Sequence, residues 1–423
     1  MRILVLTDTF PPDVSGGAAR IALTQCRALR RLGHEVRVIS TRRDVSLPAM
    51  AMVEGIPVHR LKVSYPPRWQ AYLSLYNPAV AHQLGPLLDQ VRPDVVHAHN
   101  VHAYLTYHSL TLAKRRGLSV VLTAHDAMMV TYQKLDSFID PSWRHVPDSF
   151  DYRVSIWYQL RKQRFRYFPL RNAIIRRVLW QAVDALVSPS QALLDVLSAN
   201  RMAARRMVCI PNGVDAAAFE TSDGQRAEFQ TRYDLVGRRI IVLAGRVSQA
   251  KGGLQMLKAM QLIVREVPNA TLLVLAPPEG SSKGLLAVAE SLGIRQYIRF
   301  AGWLTDDELA AAFGAADVCV TPSVVFDTFP TVNLEAMAAG TPVVATCFGG
   351  SRELVVDGET GFIVNPFNVD MLAERVTRLL ADAELRHEMG ERARERIRQH
   401  YDWLVQAERL LKLYQQIRDA NER

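Results

Sequence analysis

The sequence predicts an α/β protein built from two Rossmann-like domains. Three observations predict it: the length of the chain, a repeating alternation of strand and helix patterns, and the restart of that alternation half-way along. At 423 residues the chain exceeds what one hydrophobic core usually serves, and about two domains of ordinary size is the natural division. Apolar residues make up 49% of the chain and charged residues 22%. That is globular composition, which excludes long disordered tracts.

The first series of strands opens with ILVLTDTF, followed by a helical stretch near Ala18–Leu32 and then HEVRVIS. It continues through DVVHAHN, SVVLTAH and DALVSPS to MVCIPNGV, with helical segments such as HSLTLAKRR between the strands. Short β-branched runs alternating with helices are the signature of a parallel sheet covered on both faces. A polar stretch, TSDGQRAEFQTRYDLVGRR, then separates this series from a second one: RIIVLAG, ATLLVLAP, YIRFAGW, DVCVTPS, TPVVAT and GFIVNP. We therefore expect a first domain over residues 1–210 and a second over 211–399, with the helix in 400–423 packing back on the first. That last segment carries Trp403, Leu404, Leu410, Leu411 and Tyr414 at helical spacing, so it needs a surface to cover.

Cys26, Cys209, Cys319 and Cys347 are far apart, with no CxxC pair, and read as reduced structural thiols. Asp8 interrupts the first apolar run before a signal-peptide core is complete, and no apolar stretch reaches the length of a membrane span. A cytoplasmic protein is expected. The net charge of +9 favours anionic partners without choosing among them.

In open parallel sheets, ligands bind beyond the carboxyl ends of the strands. After the first strand, Gly16 and Gly17 precede a helix, where glycine lets backbone amides approach a phosphate. A plain turn would use the same pair. After the first strand of the second series, Arg246 and Lys251 lie five residues apart in AGRVSQAKGG, and two cations on one pocket could neutralise a diphosphate. The alternative is a solvated loop with ordinary surface cations. Asp327 and Glu335, in FDTFPTVNLEAMAAGTPVVAT, suit the diols of ribose and hexose, and the amides of Phe329, Pro330, Thr331 and Val332 form a loop able to meet phosphate. Alternatively, Asp327 caps a turn and Glu335 is an exposed helix residue.

Taken together, the Gly-Gly loop, LTAHD, IPNGVD, GRVSQAKGG, DTFPTVNLEAMAAGTPVV and GGSRELVVDGETGFIVNP resemble, in order and over nearly the whole chain, the retaining glycosyltransferase family four. The resemblance implies the GT-B fold, two Rossmann-like domains facing across a cleft, and transfer of a sugar from a nucleotide-sugar donor to an acceptor. It implies that Arg246 and Lys251 hold the donor diphosphate, that Glu335 holds the nucleotide ribose and that Gly16 or Gly17 meets phosphate. His125 would contact the donor sugar, Asp327 a sugar hydroxyl, and Asn212 would shape the hinge. Two departures stand out. The first acidic position, usually glutamate in the family, is Asp327, and LAPPEG replaces a glycine-rich turn. The resemblance further implies metal-independent chemistry and no cofactor, so His97, His99 and His102 are expected to line the site without binding a metal.

Between Arg153 and Val183 eight basic residues occur without one acid, interleaved with aromatic rings. Such a stretch can rest on anionic lipid at the inner face of a membrane, or grip an acceptor that carries pyrophosphate. It can equally form two helices with solvated faces. A sugar or lipid-linked acceptor is expected and nucleic acid is not. The alternatives to a transferase are a sugar-nucleotide epimerase of the same fold and a non-catalytic nucleotide-sugar-binding protein.

Overall fold

A computed structural model describes residues 1–13, 17–43, 46–63, 65, 69–244, 248–277 and 283–422. The chain divides into two compact units, Met1–Ser137 with Tyr152–Gly213 and Trp403–Arg423, and Phe138–Asp151 with Val214–Asp402.

The first unit holds an eight-stranded sheet. Its strands are β1 (Arg2–Thr7), β2 (Glu35–Arg42), β3 (Met50–Val53), β4 (Ile56–Lys62), β5 (Val95–His99), β6 (Ser119–Thr123), β7 (Ala185–Ser188) and β8 (Met207–Cys209), in the order β3-β4-β2-β1-β5-β6-β7-β8. All pairings are parallel except β3 with β4, a hairpin that turns at Glu54-Gly55 with positive φ at both residues. β1 and β5 are neighbours although far apart in sequence, so the strand order reverses there, and the carboxyl ends of strands at such a switch point are where open parallel sheets bind ligands. The helix Trp403–Asn421 closes one face, burying Ala407, Leu410, Leu413, Tyr414 and Ile417 in the core formed by β1, β5 and the helix Gly17–Arg31. Trp403, Leu404 and Leu411 pack at its margin, only partly buried.

The second unit holds β9 (Arg239–Ala244), β10 (Ala270–Leu275), β11 (Ile298–Phe300), β12 (Val318–Thr321), β13 (Val343–Thr346) and β14 (Gly361–Val364). The order β11-β10-β9-β12-β13-β14 is parallel throughout, with its switch point between β9 and β12. Alternate residues of β9 feed two separate cores, as a two-period pattern requires: Ile240 and Val242 go to one, Ile241 and Leu243 to the other.

One segment departs from the expected division. Phe138–Asp151, read from sequence as part of the first domain, packs in the second unit. The backbone carbonyls of Trp143 and His145 accept from the Asn365 side chain at 3.2 and 2.8 Å, and Arg352 donates to the Pro147 carbonyl at 2.9 Å. Phe138 meets Phe326, and Phe150 meets Phe348, with ring centroids 5.8 and 6.0 Å apart. Aromatic burial on the second unit therefore outweighs sequence proximity to the first.

Candidate active site

In the second unit, three loops leave β9, β12 and β13 on the same sheet edge and are tied to one another. The Val324 amide donates to the Ala250 carbonyl at 3.1 Å and the Thr346 hydroxyl to the Ser323 carbonyl at 2.7 Å. The Asp327 amide donates to the Phe348 carbonyl at 2.9 Å, and the Gly350 amide returns a bond to the Asp327 carbonyl at 3.0 Å. Two glycines make these approaches possible. Gly252 has φ +74°, and a Cβ there would lie 1.8 Å from the Pro322 carbonyl oxygen; Gly349 has φ +122°, and a Cβ there would lie 2.0 Å from the Asp327 carbonyl oxygen.

This lacing fixes the Asp327 carboxylate, which accepts from the Lys251 ammonium and from the Ser323 hydroxyl, the latter at 3.0 Å. Asp327 is thus an ion-pair partner of Lys251. The helix Thr331–Ala338 begins just beyond it, with Pro330 at its N-cap and no side chain capping its first amides. Phe329 is buried against Tyr401, while Thr331 and Val332 are half-buried. Glu335 is buried, which removes the reading of an exposed helix residue. Arg246 and Gly16 lie outside the described residues, as do residues 278–280 of LAPPEG. Gly17 opens its helix and is exposed.

In the first unit a chain of polar side chains follows the ends of β5 and β6. The ring nitrogens of His97 meet the Thr123 hydroxyl at 2.7 Å and the Tyr414 hydroxyl at 2.6 Å. His99 Nδ1 and His125 Nε2 share a hydrogen bond of 2.9 Å. Asn100 clamps the next turn, accepting from the His125 amide at 3.1 Å and donating to Asp126 at 2.9 Å. Burial lowers the pKa of His125 to about 4, offsetting the opposing pull of Asp126, and lowers His97 to about 3. Burial and the neighbouring rings hold His99 well below the usual range as well. All three rings are therefore neutral at pH 7, and His125 presents a hydrogen-bonding group without charge. No group of three or more metal-ligating side chains forms among the described residues.

Residues that the sequence reading passed over complete the frame. Asp8, at the end of β1, accepts from the amides of Ala103, Tyr104 and Leu105 at 2.7–2.8 Å and so ties the loop after β5 to the switch point. Asn333 joins Thr321 to Ser351 through its buried amide, at 2.8 and 3.1 Å. Each follows a strand end or opens a helix, a position that flags candidates without ranking them.

Residues 15–218 match the model of Glycosyltransferase Family 4, and residues 226–396 match that of Glycosyl transferases group 1. The chain belongs to this glycosyltransferase family. It is similar to glycogen synthase of Mycobacterium tuberculosis, with 27% identity over 98% of this chain and 94% of that protein. Alpha-maltose-1-phosphate synthase of Mycolicibacterium smegmatis is 26% identical over 99% of this chain and 100% of its own length. Among solved structures, sucrose-phosphate synthase of Thermosynechococcus elongatus superposes with a TM-score of 0.76 at 21% identity, covering 99% of this chain and all of that one. Anabaena Alr3699/HepE, solved in complex with UDP-glucose, superposes with a TM-score of 0.72 at 19% identity over 98% of this chain and 100% of its own. The fold is GT-B, and the protein is a glycosyltransferase. No helix among the described residues is long and apolar enough to cross a membrane.

Proposed function

We propose that this glycosyltransferase moves a hexosyl group from a nucleoside-diphosphate sugar to its acceptor with retention of anomeric configuration. The observation that carries the reading is the Lys251–Asp327 ion pair, held by laced loops beside an uncapped helix N-terminus at the carboxyl edge of β9 and β12. A helix start offers unpaired amides and a partial positive charge, which suit a phosphate. Lys251 and Arg246 would neutralise the donor diphosphate and stabilise it as the leaving group, and Glu335 would take the ribose hydroxyls. Asp327 would accept from a sugar hydroxyl while Lys251 turns toward phosphate. Neutral His125 would hydrogen-bond the donor sugar without opposing the positive charge that develops at the anomeric carbon. No carboxylate is assigned as a covalent nucleophile, so we favour a front-face route in which the leaving phosphate takes the proton of the incoming hydroxyl. The relatives' names include glycogen synthase and alpha-maltose-1-phosphate synthase, which is in keeping with assembly of a polysaccharide or glycolipid.

The test is to offer a panel of nucleotide sugars with candidate acceptors and to read the anomeric configuration of the product by NMR. Inversion would overturn the mechanism, and conversion of donor to an epimer without any acceptor would favour the epimerase. Binding of nucleotide sugar without turnover would leave a non-catalytic binding protein.

A second reading concerns where the acceptor is met. In the segment 153–183, Ile156, Trp157, Leu170 and Trp180 are exposed, Trp157 at 80% and Trp180 at 61%. Exposed tryptophans among arginines suit the headgroup layer of an anionic membrane. The segment is less cationic at its surface than its composition suggests. Arg171 is buried, donating to the Met128 carbonyl at 2.7 Å, and Lys162 pairs with Asp136 at 2.7 Å. Sedimentation with anionic vesicles, decreasing as salt rises, tests peripheral attachment.

A further inference from the structure

The helix Ile156–Gln163 ends at Arg164, whose φ of +51° turns the chain back on itself into a short 3-10 turn, Arg164–Arg166. Beside this reversal lies a solvent-open cavity of about 620 Å³, whose lining includes Gln133, Tyr158, Arg161, Lys162, Arg164 and Arg166. Its volume falls in the range of small-molecule sites, roughly 300–1,000 Å³. The charge around it is unbalanced. Asp136 engages Lys162 and the Tyr158 hydroxyl. The Arg161 and Arg164 guanidiniums, three residues apart, have no hydrogen-bonded or ionic side-chain partner among the described residues. Two guanidiniums lining one pocket without an acidic partner suit an anion, and guanidinium forks match the oxygens of phosphate in pairs.

The cavity borders the loop that follows His125. The segment that leaves His125 runs along the helices Ile156–Gln163 and Arg171–Ala182 and is pinned to both. Gln163 donates to the Thr131 hydroxyl at 3.4 Å and Asn172 to the Val130 carbonyl at 2.9 Å, and Gln133, eight residues beyond His125, donates to the Lys162 carbonyl at 2.7 Å. A ligand seated against Gln133 therefore touches the same loop that carries His125.

We propose that this cavity binds the phosphate or diphosphate end of the acceptor through Arg161 and Arg164, so that the acceptor is a phosphorylated sugar or lipid. The proposal rests on the glycosyltransferase reading for the word acceptor, and on the cavity alone for the phosphate. The same chemistry could come from a lipid headgroup or from a soluble sugar phosphate.

The experiment uses the full chain. Binding of UDP, GDP and ADP is measured first by calorimetry, and inorganic pyrophosphate is then titrated with the tightest of them at saturation, so that the donor site is filled. Wild-type protein is expected to keep a pyrophosphate site under these conditions. The variant R161Q/R164Q should lose at least about tenfold in affinity for it, since each charge-assisted hydrogen bond is worth about that factor. Retained nucleotide binding shows that the variant is folded, and the single variants R161Q and R164Q, each weaker by about tenfold, serve if the double variant is not. Absence of a pyrophosphate site in wild type, or its survival in the double variant, overturns the proposal. Vesicles of phosphatidylcholine with phosphatidic acid then separate the sources. Displacement of pyrophosphate by them assigns a lipid headgroup, and its persistence assigns a soluble phosphate. A protein that binds pyrophosphate through these arginines but no nucleotide would keep the cavity and lose the donor reading.

Discussion

Lys251 and Asp327, 76 residues apart in sequence, are joined by an ion pair at the end of β9. The pair keeps the ammonium at this sheet edge, from which, in the proposed reaction, it would turn to a bound diphosphate and stabilise the charge developing there. Replacing Lys251 by Ala is expected to lower turnover by about a hundredfold or more, with the fold intact. Arg246→Ala should behave in the same way. Steady-state kinetics beside a circular dichroism spectrum make the comparison, and near-normal rates in both variants would remove these residues from the diphosphate.

Asp327 can be tested by its length. Asp327→Glu restores the family's usual carboxylate while keeping an ion pair available to Lys251, whereas Asp327→Asn removes the charge. If Asp327 acts on a sugar hydroxyl, the glutamate variant should change the ratio of kcat/KM between competing donor sugars, and the asparagine variant should lose activity on all of them. An unchanged donor preference in the glutamate variant, with full activity in the asparagine variant, would reduce Asp327 to a structural partner of Lys251.

Chelation should leave transfer largely unaffected, because Arg246, Lys251 and backbone amides are assigned to offset the donor's charge. The measurement is activity with and without EDTA. Loss that a divalent ion restores would overturn the assignment and bring His97, His99 and His102 back as candidate ligands.

The neutral histidines make stability depend on pH with a definite sign. The pKa values of His97 and His125 fall from 6.5 in the unfolded chain to about 3 and about 4 in the folded one. Below pH 6.5 the unfolded state takes up protons that the folded state refuses, so stability is lost as pH falls toward 4 and is fully present above about pH 7. Each ring contributes a loss of about 2 kcal/mol between pH 7.5 and pH 5 by this linkage. Urea midpoints measured at the two pH values should fall accordingly, and H97Q should make the decline shallower. A variant that declines as steeply as wild type would show that His97 titrates equally in both states.

Gly349→Ala should destabilise the second unit strongly, since the new methyl would meet the Asp327 carbonyl and the backbone conformation disfavours any L side chain. A loss of roughly 2–4 kcal/mol is expected, together with loss of donor binding, as the Asp327 loop is displaced. Thermal melting and nucleotide titration report the two effects, and an unchanged melting curve would contradict the packing.

Much of this was legible in the sequence because parallel strands buried on both faces are continuous apolar runs. All six strands of the second sheet and six of the eight in the first coincide with runs such as RIIVLAG and DVVHAHN. The two that escaped notice, β3 and β4, form the outer hairpin, where exposed Met50 and Met52 and the interruption by Pro57 blur the pattern. The candidate site was legible through strand-end loops and the family's motifs, which pointed to Lys251, Asp327 and Glu335. What the sequence could not supply were contacts between distant residues. Nothing in VHAHN states that His97 bonds Tyr414, and nothing in TDTF states that Asp8 gathers three amides from the loop after β5. Such pairings arise only when the sheet sets unrelated loops side by side.

The excursion of Phe138–Asp151 makes the two halves inseparable by a single cut. The peptide passes from one unit to the other at 137/138, 151/152, 213/214 and 402/403, so each unit is assembled from pieces that are remote in the gene. Expressed by itself, the stretch 214–402 would lack its own strap, baring the faces of Phe326 and Phe348 and leaving Asn365 without two of its acceptors. A chimaera designed to exchange donor specificity with a relative should therefore transplant 138–151 along with the second half. A swap made at one junction would graft a foreign strap onto a surface it was never matched to.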